Sequence, residues 1–197
     1  MKVSVLTFAL ACLLGFTVPG SAQNINYAID PAHSQVDFSI KHLAISTVRG
    51  RFALKEGTVA LDPSDVTKSN VTAVIDVASV DTGAPQRDGH LKSPDFFDTA
   101  KFPTATFKST SVKRSGSGYD VIGDLTLHGV TKPVTLHMEE PSKEQAGNDK
   151  KLRRGFTATT TLHRQDFGVS WNGTLKSGDN LLGDDVKMTF DIEGAQS

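Results

Sequence analysis

Residues 35–42 read Gln-Val-Asp-Phe-Ser-Ile-Lys-His, an apolar set on alternate positions that decides the fold class. Val36, Phe38, Ile40 and His42 share one face, while Asp37, Ser39 and Lys41 share the other. A period of two belongs to a β-strand with one dry and one wet side. The pattern recurs along the chain. Val71, Ala73, Ile75 and Val77 oppose Thr72, Val74 and Asp76; Tyr119, Val121, Gly123, Leu125 and Leu127 oppose Asp120, Asp124 and Thr126. Val134, Leu136 and Met138 oppose Thr135 and His137, and Phe156, Ala158, Thr160 and Leu162 oppose three threonines. Val186, Met188, Phe190 and Ile192 close the series. One-sided alternation of this kind marks antiparallel strands.

The connections fit. Ser115-Gly116-Ser117-Gly118 and His128-Gly129 supply the positive φ of hairpin turns, and the polar run 141–149 reads as a longer loop. Residues 81–103 break the alternation, and here one or two short helices are expected. Ser93 before Pro94 suggests a helix start at Pro94, with Phe96 and Phe97 on its apolar side. About eight strands and one helical excursion predict an all-β, closed or nearly closed antiparallel barrel, because closure removes exposed edges. An open two-sheet sandwich is the alternative.

The chain has 197 residues, 38% hydrophobic and 22% charged, which is the size and composition of one globular domain. A formal charge of −1 leaves no basic footprint for nucleic acid. The single cysteine, Cys12, excludes a disulfide scaffold and a cysteine-based metal ribbon. Lys2, the uncharged run 3–18 and the small residues Gly20 and Ala22 form the pattern of a secretory signal peptide, residues 1–22, cleaved before Gln23. The run is short for a membrane span, so no stable membrane insertion is expected of residues 23–197. Lipid modification at Cys12 is a second reading of the leader. The sequons at Asn70 and Asn172 read as chance in a leader of bacterial type.

Catalytic motifs are missing. The six histidines form no His-x-His pair and no His-Glu-x-x-His. Asp30, His33 and Ser34 hold the residue types of a triad, but crowding in sequence does not supply its geometry. Arg87, Asp88 and His90 form a denser polar group, read either as a head-group contact or as an internal salt bridge and cap. His42, ending an apolar strand face, reads as a rim histidine hydrogen-bonded to backbone. No catalytic residue, metal or cofactor is assigned.

Five segments together resemble the YceI-like family, the exported polyisoprenoid-binding barrels of bacteria. They are DPAHSQVDFSIKHLAISTVRGRF (30–52), VDTGAPQRDGHLKSPDFFDTAKFPTATFKST (80–110), GDLTLHGVTKPVTL (123–136), RRGFTATTTLHRQDFGVSWN (153–172) and GDDVKMTFDIEGA (183–195). The resemblance implies a lipocalin-like, extended eight-stranded barrel whose apolar lumen holds the tail of a quinone, a polyprenyl carrier or another amphiphile. An eight-stranded barrel is wide enough for one slender ligand. The expected protein is thus a periplasmic or secreted carrier of such a lipid, with a homodimer possible. Its expected lumen residues are Phe38, Ile40, Phe52, Ile75, Val77 and Phe107, together with Val121, Leu125, Phe156, Met188 and Phe190. His42, Arg87 and His90 are the candidates for the polar head. Two alternatives stand beside this reading: a filled barrel that acts through an envelope protein partner, and a quinone- or lipid-modifying enzyme using His42, Asp88 or His90.

Overall fold

The computed structural model describes residues 24–176, 178 and 180–197. The leader 1–22 and its cleavage point therefore lie outside the described residues. Ten strands form one antiparallel sheet: β1 (Ile25–Ile29), β2 (Gln35–His42), β3 (Ser46–Leu61), β4 (Asn70–Asp81), β5 (Thr104–Ser115), β6 (Gly118–Leu127), β7 (Val130–Met138), β8 (Gln145–Ala146), β9 (Leu152–His163) and β10 (Leu182–Gln196). The sheet closes through β2-β3-β4-β5-β6-β7-β9-β10 and back to β2, an eight-stranded barrel. β8 is a short addition outside the ring, paired to the start of β9.

β1 and β2 are two halves of one stave. Both lie between β10 and β3, with β1 against Gly194–Gln196 and β2 against Leu182–Asp191. The break between them is the 3-10 turn Pro31–His33, capped by the Asp30 carboxylate on Ala32 N–H at 2.9 Å. Ser34 Oγ takes the place of a missing backbone rung. It accepts from Glu193 N–H at 3.0 Å and faces Glu193 C=O at 3.4 Å.

The alternation read from sequence becomes the inside and outside of the barrel. Val36 and Phe38, Ile75 and Val77, Val121 and Leu125, and Met188 are all buried. One end of the barrel is sealed by Tyr27, Val59, Leu61 and Phe156, a second apolar cluster. The Tyr27 hydroxyl there donates to Glu144 and accepts from Arg154, and burial, followed by Glu144, pushes its pKa up. The opposite end carries the β2–β3 turn, the 82–103 excursion, the β6–β7 turn and the long 164–181 connection.

The excursion holds a single helix, α1 (Pro85–Lys92), with Pro85 in its first turn. The expected start at Pro94 is corrected: Ser93 ends this helix. Its N–H and Oγ both donate to His90 C=O, at 3.1 and 2.8 Å. Phe96 and Phe97 then lie on the following turn, where Phe96 N–H returns to Ser93 C=O at 3.0 Å. Proline favours the first helical turn at both places. After Pro94 the backbone turns away from helix within one turn, with Asp98 in the left-handed region at φ of 44°.

Candidate functional site

The barrel encloses a cavity of about 480 Å³ at the end bearing α1. Phe38, Ile40, Phe52, Ile75, Val77, Leu125, Met188 and Phe190 line it, with His42, Arg87 and His90 toward the outside. Below it lies a smaller chamber of about 80 Å³, where Phe107, Val121 and Phe156 are found. Ile75, Leu125, Leu162 and Phe190 line both spaces and so form the layer between them. The expected lumen residues thus divide into an upper group around open space and a lower group in nearly filled packing. Aromatic rings shape the upper wall: Phe52 packs on Phe38 at 5.1 Å and edge-on to Phe97 at 5.6 Å.

The roof is built by two segments meeting over the lumen. Trp171, from the β9–β10 connection, packs tilted on Phe96 at 5.1 Å and edge-on to His90 at 5.2 Å, and His90 meets Phe96 edge-on at 5.0 Å. Arg164 holds the Trp171 segment in place and is only 5% exposed. Its guanidinium donates to the carbonyls of Val169 (2.7 Å), Trp171 (2.9 Å) and Gly183 (3.0 Å), and to Asp184 at 3.1 Å. Burial pulls its pKa below the ordinary arginine value and Asp184 opposes that shift. Asn172 adds a second clasp, with its side chain bonded to both Leu182 N–H and Leu182 C=O at 2.9 Å.

The polar group on α1 is spent on local structure. Arg87 donates to Thr82 Oγ1 at 2.7 Å and to Thr82 C=O at 2.9 Å, while Asp88 accepts from Thr82 N–H at 3.0 Å. His90 Nε2 pairs with Asp95 at 2.9 Å. The group thus pins the start of α1 to Thr82, but the expected cap and salt bridge are corrected: the N-cap Ala84 receives no side-chain bond, and among the described residues Arg87 and Asp88 do not pair with each other. His42 is half-buried at the cavity wall without a side-chain partner among the described residues, so the expected bond to backbone is not made.

Asp30, His33 and Ser34 are likewise spent on local structure. His33 Nδ1 bonds Asp30 at 2.9 Å, but Ser34 Oγ is committed to Glu193 backbone. The bond from His33 holds the Asp30 pKa down, and Asp30 in turn raises that of His33. Asp30, His33 and Glu193 lie close enough to share an ion, but Arg153 Nε already pairs with Glu193 at 3.0 Å.

Sequence reasoning missed Arg164, Phe167 and Trp171, which all line the cavity. They lie where alternation stops after His163, so periodicity gave no signal. An arginine directly following an inward-reading strand was the one available cue.

What the fold and cavity define is a closed antiparallel barrel with a largely apolar lumen, sealed at one end and roofed at the other. The profile of the YceI-like domain matches residues 27–194, and the chain belongs to that family. A UPF0312 protein of Vibrio vulnificus is 41% identical over 199 residues, covering 98% of each chain. The crystal structure of BcnA from Burkholderia cenocepacia superposes with a TM-score of 0.69 at 26% identity, covering 84% of this chain and 98% of that one. A polyisoprenoid-binding domain of Saccharophagus degradans shares the fold at a TM-score of 0.59 and 19% identity, over 88% of this chain and 99% of that one.

Proposed function

We propose that the protein is an exported, non-catalytic carrier that sequesters a polyisoprenoid or similar long-chain amphiphile in the upper lumen. The observation that carries this reading is the cavity of about 480 Å³ walled by Phe38, Ile40, Phe52, Val77, Met188 and Phe190. Its size falls within the range of small-molecule sites, and burying hydrocarbon against such a wall needs no reactive group. The YceI-like family membership and the polyisoprenoid-binding domain that shares the fold support the ligand class. The leader pattern in residues 1–22 supports a periplasmic or secreted location.

Among the described residues only Ile45 and Leu152 are large exposed hydrophobics, and they stand near opposite ends of the barrel. That distribution offers no contiguous apolar face to an envelope partner. Organic extraction of protein purified from its own periplasm, followed by mass spectrometry, tests the reading. A long-chain amphiphile in near-stoichiometric amount is the expected result. Repeated recovery of empty protein, with no uptake of added long-chain quinone, would overturn it.

A further inference from the structure

The barrel wall is incompletely paired at one seam. β6 and β7 are in register from Tyr119–Met138 to Leu127–Val130, and β9 and β10 from His163–Asp185 to Arg153–Ala195. β7 and β9 pair only at His137–Thr159 and Met138–Ala158. Below those rungs the seam is held by Glu139 N–H on Thr157 C=O at 3.0 Å. Above them the register ends, leaving residues 130–136 and 160–163 without ladder pairing to each other. The gap is bounded at its top by His128 Nδ1 against Phe167 C=O at 3.2 Å. The result is a window in the wall rather than a free edge.

A polar cleft of about 660 Å³ occupies this window. Thr135, Thr159 and Thr161 offer hydroxyls, and Lys132 and Lys187 offer ammonium groups, against one lining carboxylate, Asp166. The two histidines of the rim are already paired, His137 with Asp120 at 2.8 Å and His163 with Asp185 at 2.9 Å. Leu162, Phe167 and Met188 line both the cleft and the upper cavity, so one layer of side chains separates water from the lumen here. Side chains change rotamer far faster than paired backbone opens.

Lys132 is out of keeping with its strand. Val130, Val134, Leu136 and Met138 share its parity on β7 and pack on the core, yet Lys132 is exposed. A lysine at a lumen-facing position must carry its ammonium to water, and the unpaired seam gives it the way out. Among the described residues it makes no ion pair. At the mouth Arg87, His90 and Arg164 are all bonded within the protein, and the basic side chain left without a partner among the described residues is the half-buried His42, not a lysine or arginine.

We infer that the β7–β9 window is a head-group site, where Lys132 receives the carboxylate or phosphate end of an amphiphile whose chain passes between Leu162, Phe167 and Met188 into the lumen. This rests on the carrier reading above and moves the polar end from the roofed mouth to the side wall.

Fluorescence titration with cis-parinaric acid and its methyl ester, which share one chain and differ in charge, tests it. The protein is expected to prefer the acid by about tenfold, the scale of one charge-assisted contact. In Lys132→Gln the preference should vanish through weaker acid binding, with ester affinity unchanged. Added inorganic phosphate should not displace the acid. A preference that survives Lys132→Gln, or is lost instead in Arg87→Gln, would overturn the assignment, as would displacement by phosphate, which marks a site for a free anion. If neither probe binds the unaltered protein, this site is rejected, while the carrier reading is decided separately by the extraction and quinone uptake described above.

Discussion

The ring of Phe38 on β2 occupies the space a β-carbon would take on its cross-strand partner Gly50 on β3. A β-carbon at residue 50 would come within 2.5 Å of the Phe38 ring and 2.7 Å of Thr82. The glycine therefore sets how far the ring stands from the lumen. Gly50→Ala is expected to push Phe38 into the cavity and to cost about 1–3 kcal/mol of overpacking strain. Urea denaturation reads the stability loss, and organic extraction should show a smaller lipid load. Wild-type stability in Gly50→Ala would mean the ring has room to move elsewhere.

The β2–β3 turn is strained in a removable way. Leu43 and Ala44 both sit in the left-handed region, at φ of 56° and 57°. That conformation costs a non-glycine residue roughly 1–2 kcal/mol. Leu43→Asn with Ala44→Gly supplies the preferred residues for such a hairpin and should raise the urea midpoint, by a stability gain of about 1 kcal/mol or more. A lowered midpoint would show that the Leu43 side chain contributes more packing than its backbone loses.

Arg164 is expected to be the single most sensitive polar residue. Arg164→Met leaves the Val169, Trp171 and Gly183 carbonyls without their donor and Asp184 with Gln165 as its remaining side-chain donor. The loss should reach about 3–5 kcal/mol, with Arg164→Lys rescuing little because one ammonium cannot reproduce the planar fork. Trp171 is the only tryptophan, so its emission should shift red as the 164–181 roof loosens. Unchanged emission and stability in Arg164→Met would remove the roof from the account.

The pH dependence follows from two opposite shifts. His33 and His163 are raised above 6.5 by their bonds to Asp30 and Asp185, so the stability they confer is complete below that value and is lost as pH rises through the raised native pKa. Asp30 and Asp149 are lowered from 3.8 by bonds from His33 and Arg153; their contribution holds above that value and is lost as pH falls through the depressed native pKa. Denaturation curves should therefore show greatest stability between these limits. The double variant His33→Gln, His163→Gln should flatten the alkaline limb and remove the Asp30 share of the acid one, leaving the share of Asp149, which rests on Arg153. An alkaline limb that persists would place its origin elsewhere.

Much of the wall is legible in the sequence because burial on one face imposes a period of two. Phe38, Ile75, Val121 and Met188 declare their side through alternation alone, and all four are buried. The roof is not legible, since Arg164 and Trp171 act through irregular backbone that leaves no period. The turn at Leu43–Ala44 carries none of the glycine or asparagine that announces a hairpin. Lys132 is visible as a charge among apolar neighbours, but only strand pairing shows that the wall is open beside it. Nor does alternation reveal depth: Phe38 and Phe156 read alike, while one borders open space and the other seals the floor.

The central claim is that the upper lumen is space for a ligand rather than imperfect packing. Ile40 lines that space, while its neighbour Ser39 faces the other side of β2. A carboxylate at residue 40 is costly in a dry, filled core, but a cavity of about 480 Å³ admits the water that solvates it once the ligand is gone. Circular dichroism and lipid extraction of Ile40→Asp beside Ser39→Asp is the most direct measurement. The expected result is a folded, ligand-free Ile40→Asp protein and a Ser39→Asp protein that keeps both fold and lipid. Unfolding of Ile40→Asp, with no lipid recovered from the wild type, would contradict the claim.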